Sequence, residues 1–479
     1  MNQDVANLEP KSVWTCFENL NAVPRPSKKE ERIIAFTKKF GEDLGLEVIS
    51  DSVGNIIIRK PATAGKENVT PVVMQGHLDM VHQKNADTDF DFDTQGIQSY
   101  IDGDWVKAKG TTLGADNGIG VASIMAVLQS DSIQHGPFEA LFTIDEETGM
   151  TGAINLQEGL LNGKILLNTD TEEEGELCIG CAGGCDTTAS WEYAQEKATG
   201  EPYQISVTGL RGGHSGVDIH LGRGNANKIM NRVLASLTGA RIGSLTGGNL
   251  RNAIPRESFA EVLIEKGNVE AVKQAIEDVA AIIKTERKTT EPDLAIEIAT
   301  TEPISDVMAQ QAQQTMIALV AASPNGVDRM SEDIEGLVET STNLSKVEIA
   351  GGKASVQFLT RSSVESAREE LSRKIESLFR LGGAKVLHDG EYPGWKPNAD
   401  SKILDQMKTV YEELFGKQPK VSAIHAGLEC GIIGSHYPGM DMISFGPTIK
   451  HPHSPDEKCH IPSVDLYWKY LVKVLETIA

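Results

Sequence analysis

The chain has 479 residues, a formal net charge of −23, 40% hydrophobic and 24% charged residues. That length gives interior for two or three domains and excludes a single small one that would need staples. So acidic a chain has no basic stripe to meet a phosphate backbone, which excludes nucleic-acid binding, and no run of about 18 apolar residues is present to span a membrane.

The N-terminal stretch MNQDVANLEPKSVW places Asp4 and Glu9 where a secretory signal would need an unbroken apolar core, so a cytoplasmic location is expected. A helix is expected around Glu30 to Gly45. The strands LEVISD, NIIIRK and PVVMQGHLDM follow, then the helix GVASIMAVLQS and the strands EALFTID and KILLNTD. Apolar strands alternating with helices predict an α/β fold built on a mixed, mostly parallel sheet covered on both faces. The run CIGCAGGC with Cys178, Cys181 and Cys185 has one C-x2-C spacing but no second pair to complete a zinc knuckle. A tightly packed strand or turn is expected there instead.

From about Thr187 to Pro393 the texture changes to strands and amphipathic helices. We read residues 1–186 and 395–479 as two parts of one catalytic domain, interrupted by an α+β insert at 187–394. Within the insert, VEAVKQAIEDVAAI from Val269 lines up with VESAREELSRKIESL from Val364, and Asn249-Leu250 lines up with Asn343-Leu344, with one residue of slippage between the blocks. A shared 3.6-residue period alone makes any two amphipathic helices alike. The common order of Asn-Leu pair, alternating strand (FAEVLIE, SVQFLTR) and helix favours an internal duplication. After Asn398 the α/β style resumes with the helix ILDQMKTVYEELF, the strands VSAIHA and DMISFG, and a terminal helix from Ser463.

Chemistry-bearing residues gather at the ends of the apolar strands, where a parallel sheet presents its ligand-binding edge. In GHLDM, His77 and Asp79 stand two apart on the expected strand, so both project from one face and the aspartate can accept the second ring N–H of a ligating imidazole. Asp116 lies in the Gly-rich turn GADNGIG before a helix, as either a ligand or an N-cap. TIDEETGMTGA puts Glu146 and Glu147 after an apolar strand, where carboxylates packed together need a cation unless the turn is exposed. Asp170 ends KILLNTD. His451 and His453 share the loop HPHSPDE, and His214 sits between glycines in GGHSG, where it also suits a plain turn.

In their order and spacing, GHLDM, GADNGIG, DEETGMTGA, NTD, GGHSG and HPHSPDE resemble the motifs of the bacterial cytosolic nonspecific dipeptidases, also called aminoacyl-histidine dipeptidases, in zinc peptidase family M20. The resemblance spans essentially the whole chain. It implies a catalytic α/β domain interrupted by a lid and a pair of zinc ions, which cobalt or manganese can replace at a mixed carboxylate and imidazole site. In that pattern Asp116 bridges the metals, His77 and Asp170 complete one site, and Glu147 and His453 the other. His453 is preferred to His451 because it precedes Ser454. Glu146 is the general base, Asp79 orients His77, and His214 on the lid is the donor to the oxyanion. The resemblance further implies a cis Asp116–Asn117 peptide, a broad dipeptide specificity that includes Xaa-His, and substrate contacts from Asn252 and Arg361, one in each insert repeat. Glu429 in HAGLECG is the candidate for the substrate amine, and His425 is either functional or structural. Small peptides are the expected partners, with a homodimer among the options.

Overall fold

The computed structural model describes residues 2–479. The chain divides into two compact units. The first comprises Met1–Gly180, Pro397–Ala423 and Leu428–Ala479, and the second comprises Cys181–Lys396 and Ile424–Gly427.

The first unit is built on an eight-stranded sheet, in the order Glu47–Ser50, Ile56–Lys60, Phe138–Thr143, Val72–His77, Ile165–Asn168, Asp441–Ser444, Glu176–Cys181 and Lys420–Ile424. Its middle is parallel: Val72–His77 runs alongside both Phe138–Thr143 and Ile165–Asn168, and Asp441–Ser444 alongside Ile165–Asn168. The flanking pairs are antiparallel, which makes the sheet mixed. All six residues of Val72–His77 and of Phe138–Thr143 are buried, as expected for interior strands covered on both faces. The helix Ala115–Gln129 is apolar almost all round and correspondingly buried, a core helix without a wet face.

Two features of this unit lie outside the elements expected from the sequence. One is the helix Lys11–Asn21, which packs on Ala115–Gln129. The other is a four-stranded antiparallel sheet of Ile449–Lys450, Lys458–His460, Trp105–Ala108 and Ser99–Asp102. Because Lys450 pairs with Lys458, the segment 451–457 is a hairpin loop held at both ends. That loop is HPHSPDE. Among the described residues, no helix is long and apolar enough to cross a membrane.

The second unit is α+β. Its antiparallel sheet runs in the order Ala295–Thr300, Glu201–Thr208, Ser258–Ile264, Ala240–Gly247, Val338–Ala350, Lys353–Ser362, Gly183–Glu192 and Lys385–Tyr392, and Gly326–Met330 pairs beside Val338–Ala350. Outward from the contact between Ala240–Gly247 and Val338–Ala350, the chain in each half follows the same succession of strand, strand, helix, strand. The helices are Val269–Arg287 in one half and Glu365–Leu381 in the other. Both bury one stripe, Val272, Ile276, Ala280 and Ile283 against Leu371, Ile375 and Phe379. The unit begins ahead of Thr187 because Cys181 exchanges backbone hydrogen bonds with Trp395. It takes in Ile424–Gly427 because the Ala182 N–H donates to the carbonyls of Ile424 and Ala426. Cys178, Cys181 and Cys185 are buried in strands, in keeping with the packing role expected of CIGCAGGC.

Candidate metal centre and an arginine–histidine cluster

In the first unit His77 is the last residue of its strand and Asp170 lies two residues past the end of Ile165–Asn168. Asp116 sits just inside the helix Ala115–Gln129, where its own φ and ψ and those of Asn117 are non-helical, and the Asp116–Asn117 peptide is cis. Glu146 and Glu147 open a single helical turn after Asp145, which takes left-handed backbone at φ 52°. His453 is left-handed too, at φ 59°, in its hairpin loop. Such conformations are costly for residues with a Cβ and cluster where geometry serves function.

These segments bring two donor sets together, His77 with Asp116 and Asp170, and Asp116 with Glu147 and His453, each with its ligand atoms within 4.8 Å of one another. Asp116 belongs to both. Its Oδ1 is 3.2 Å from His77 Nε2 and its Oδ2 is 3.2 Å from His453 Nε2. Asp170 Oδ1 lies 3.3 Å from His77 Nε2, and Glu147 Oε2 lies 3.0 Å from His453 Nε2. Glu146 Oε2 is 4.0 Å from His77 Nε2, and Glu146 forms a further close set with His77 and Glu147 that does not include Asp116. His451 in the same loop joins neither set.

Whether these residues fit metal ions can be judged from the charge they bury. Glu147 Oε1 is buried without a hydrogen-bond donor. Burial lifts the carboxyl groups of Asp170 and Glu147 above their ordinary range, and Glu146 well above it, with neighbouring acids adding to the effect. Glu172, which the sequence did not single out, is pushed up to about 8 by burial beside Asp116 and Asp170. Burial works against both charge on the Asp116 carboxylate and charge on the His77 imidazole. Hydrogen bonds from His453 and His77 nonetheless hold Asp116 low, and Asp170, Asp116 and Asp79 hold His77 well above its ordinary value. Hydrogen bonds to Asp116 and Glu147 raise His453 to about 11. A pocket in which acids are pushed up and imidazoles are held protonated has an excess of negative charge to share, and divalent cations supply what it lacks. The donor set fits them.

Asp79 corrects one expectation. The strand ends at His77, so Asp79 stands in the turn beyond it and not on the same strand face. It still reaches back, with Oδ1 3.3 Å from His77 Nδ1. The same carboxylate accepts from the backbone N–H of Glu146 at 3.0 Å and of Glu147 at 3.3 Å, and from the Ser27 hydroxyl at 2.8 Å. One buried side chain therefore orients the imidazole and ties down the turn that carries both glutamates.

Glu429, fully buried, opens the helix Glu429–His436. Its Oε2 accepts from Gln75 and Thr143, both at 2.6 Å, while Oε1 has no donor. Burial pushes it up to about 7.

The second unit gathers the remaining residues. The short antiparallel pair Gly213–His214 and Ala253–Ile254 sets His214 beside the loop of Asn252, and the Ser215 N–H donates to the Asn252 carbonyl at 2.8 Å. The Asn252 side chain itself is exposed. Arg361, on Lys353–Ser362, is buried and donates from Nη1 to the Tyr392 hydroxyl at 2.7 Å and from Nε to Ser215 Oγ at 3.3 Å. The neighbouring strand offers Ser341 opposite Arg361, and its hydroxyl is 2.7 Å from His425 Nε2. Asn343 holds the Asn252 loop through the carbonyls of Arg251 and Ala253. A Cβ at Gly216 would stand 2.0 Å from the His425 carbonyl oxygen, so only glycine allows this approach.

His214 Nδ1 accepts two backbone N–H groups, from Gly216 at 3.2 Å and Val217 at 3.0 Å. A neutral ring so engaged carries its proton on Nε2 and presents it as a donor. Burial, then the Arg361 charge, lowers His214 to about 4 and His425 to about 3. The cluster is thus one guanidinium among two uncharged imidazoles. Ser215, Ser341 and Tyr392 were invisible in the sequence because single hydroxyl residues carry no spacing signal.

The family model described as Peptidase family M20/M25/M40 matches residues 73–477. The chain is 45% identical over 480 residues to the cytosol non-specific dipeptidase of Escherichia coli (strain K12), covering 99% of each. It superposes on the crystal structure of an aminoacylhistidine dipeptidase from Vibrio alginolyticus with a TM-score of 0.92, at 46% identity over 99% of this chain and 98% of that one. An aminopeptidase (PepT) of Bacillus cereus shares the fold at a TM-score of 0.58 and 18% identity, with 98% and 99% of the two chains covered.

Proposed function

The chain belongs to peptidase family M20/M25/M40, and we propose that it is a cytosolic dipeptidase of broad specificity, Xaa-His dipeptides included, that works with two zinc ions. The observation that carries this reading is the sharing of Asp116 between two donor sets. His77 and Asp170 would hold one ion and Glu147 and His453 the other, with Asp116 available to both. When bound, the ions polarise the scissile carbonyl and acidify water at neutral pH.

The protein's own residues supply the rest. Glu146, next to the ligand Glu147 but outside the bridged pair, takes the proton from the attacking water and returns it to the leaving amine. Asp79 keeps His77 in the tautomer that presents Nε2 to the centre, since Nδ1 faces its carboxylate. His214, with its proton fixed on Nε2, donates to the oxyanion that develops on the carbonyl. Arg361, whose planar fork matches a carboxylate, holds the C-terminus of the dipeptide, with Asn252 as a further polar contact. Glu429, with one oxygen free of donors, answers the free amine. We read the second unit as a duplicated lid whose halves contribute His214 with Asn252 and Arg361 respectively.

The test is a metal-stripped preparation assayed against a dipeptide panel with zinc, cobalt or manganese added back. Activity that returns with metal and acts on free dipeptides but not on their N-acetyl derivatives supports the reading. Preference for the N-acetyl compounds would make the protein an amidohydrolase instead. Mixing an Arg361→Ala preparation with a His214→Ala preparation should restore no activity if one chain supplies both residues. Recovery would place the two residues on different chains of a dimer.

A further inference from the structure

Two buried charges of the first unit lie next to the candidate metal ligands but are not among them. Glu457, 2% exposed, ends the HPHSPDE loop four residues after His453. Its carboxylate accepts from four successive backbone N–H groups: Oε2 from Leu113 at 2.7 Å and Gly114 at 3.0 Å, and Oε1 from Ala115 at 2.7 Å and Asp116 at 3.2 Å. Consecutive amides folded around an anion form a nest, a strong and directional arrangement. Gly114 gives the loop its left-handed turn at φ 68°.

Arg25, also 2% exposed, faces the same loop from another side. Its Nη1 donates to the carbonyls of Leu78 at 3.1 Å and Asp79 at 3.0 Å, and its Nη2 to the carbonyl of Gly114 at 2.5 Å. A Cβ at Gly114 or at Gly118 would come within 2.6 Å or 2.5 Å of Nη2, so the chain is shaped around the guanidinium. Arg25 thereby joins the end of the His77 strand to the Asp116 loop. Glu457 joins that loop to the hairpin carrying His453. Three ligands from three distant segments are registered by two side chains that touch neither ligand side chains nor substrate.

We propose that Glu457 and Arg25 are positioning residues that set the spacing of His77, Asp116 and His453, and so set metal affinity and turnover. The proposal rests on the two-metal reading of the site. A carboxylate is required at 457 because all four of its partners are donors. An amide of the same shape would direct its own N–H groups at two of them and leave those backbone groups unpaired.

The experiment compares wild type with Glu457→Gln, reading zinc affinity by chelator competition, kcat and KM separately on a dipeptide, and the unfolding midpoint of the metal-free protein. Removal of such an outer partner costs about 10- to 100-fold in metal affinity or activity. The expected result is a loss of at least tenfold in zinc affinity, with kcat reduced at saturating zinc, KM nearly unchanged, and a lower metal-free unfolding midpoint from the backbone groups left unpaired. A Glu457→Gln protein that folds and binds zinc within a few-fold of wild type overturns the proposal, as does one whose only change is a lower unfolding midpoint. If Glu457→Gln does not fold, Arg25→Lys, which keeps the charge but loses the fork, is read by the same criteria. Wild type that fails to bind two ions would instead refute the metal centre itself.

Discussion

The two clusters are electrostatic opposites. In the first unit, burial pushes the carboxyl groups of Asp170, Glu147 and Glu146 upward, and hydrogen bonds to Asp116 and Glu147 hold a proton on His453. In the second, burial first and then the Arg361 guanidinium keep protons off His214 and His425. The first is arranged to receive cations and the second to receive an anion. Histidine serves in both, and its charge state follows from the sign of its neighbours. The same side chain is in our proposal a metal ligand beside Asp116 and a neutral hydrogen-bond donor beside Arg361.

This contrast can be broken from either side. The largest effect is expected for Glu146→Gln, which should lower kcat by about 10²- to 10⁴-fold, the range of a lost general base. Its metal content, measured on the same preparation, should stay at the wild-type level. Arg361→Ala should reduce kcat/KM by about 100-fold, as a charge-assisted pair with the substrate carboxylate is lost. The telling measurement is a dipeptide amide, which wild type should discriminate against and the variant should not. Asp79→Asn should weaken metal binding by about 10- to 100-fold, because the imidazole loses the negative charge beside Nδ1 and an amide N–H is turned toward the backbone donors of the glutamate turn. Equilibrium dialysis reads that directly.

The smallest effect is one of stability. His425 has a folded pKa of about 3, well below its ordinary value. The unfolded chain therefore binds the proton first as pH falls. The neutral ring's contribution to stability is complete above the ordinary histidine range, and it is lost as pH drops from there toward 3. A His425→Gln variant should show a shallower fall in denaturation midpoint over that interval. Equal slopes in the two proteins would mean that the ring is not held neutral in the folded protein.

Much of this was legible from the chain alone, for identifiable reasons. Strands buried on both faces write continuous apolar runs, so Val72–His77, Phe138–Thr143 and Ile165–Asn168 were placed to within a few residues. The chemistry-bearing acids and histidines stand at their ends. The short motifs, taken in order, were enough to suggest the family that the full-length similarity then established.

Only the tertiary structure decided the rest. Asp79 is off the strand, yet it ties His77 to the Glu146–Glu147 turn, because a turn beyond a strand end can fold a carboxylate back on its neighbours. His453, already preferred to His451 from its place before Ser454, stands 3.2 Å from Asp116, on a loop that the pairing of Lys450 with Lys458 holds at both ends. The linking of Arg25 to Gly114 and of Glu457 to Leu113 through Asp116 is written in no local pattern. Sequence periodicity reports which face of an element is dry, whereas partners that are distant along the chain are chosen by how the elements pack. The residues able to hold metal could therefore be named from the sequence, and the groups that hold those residues in place could not.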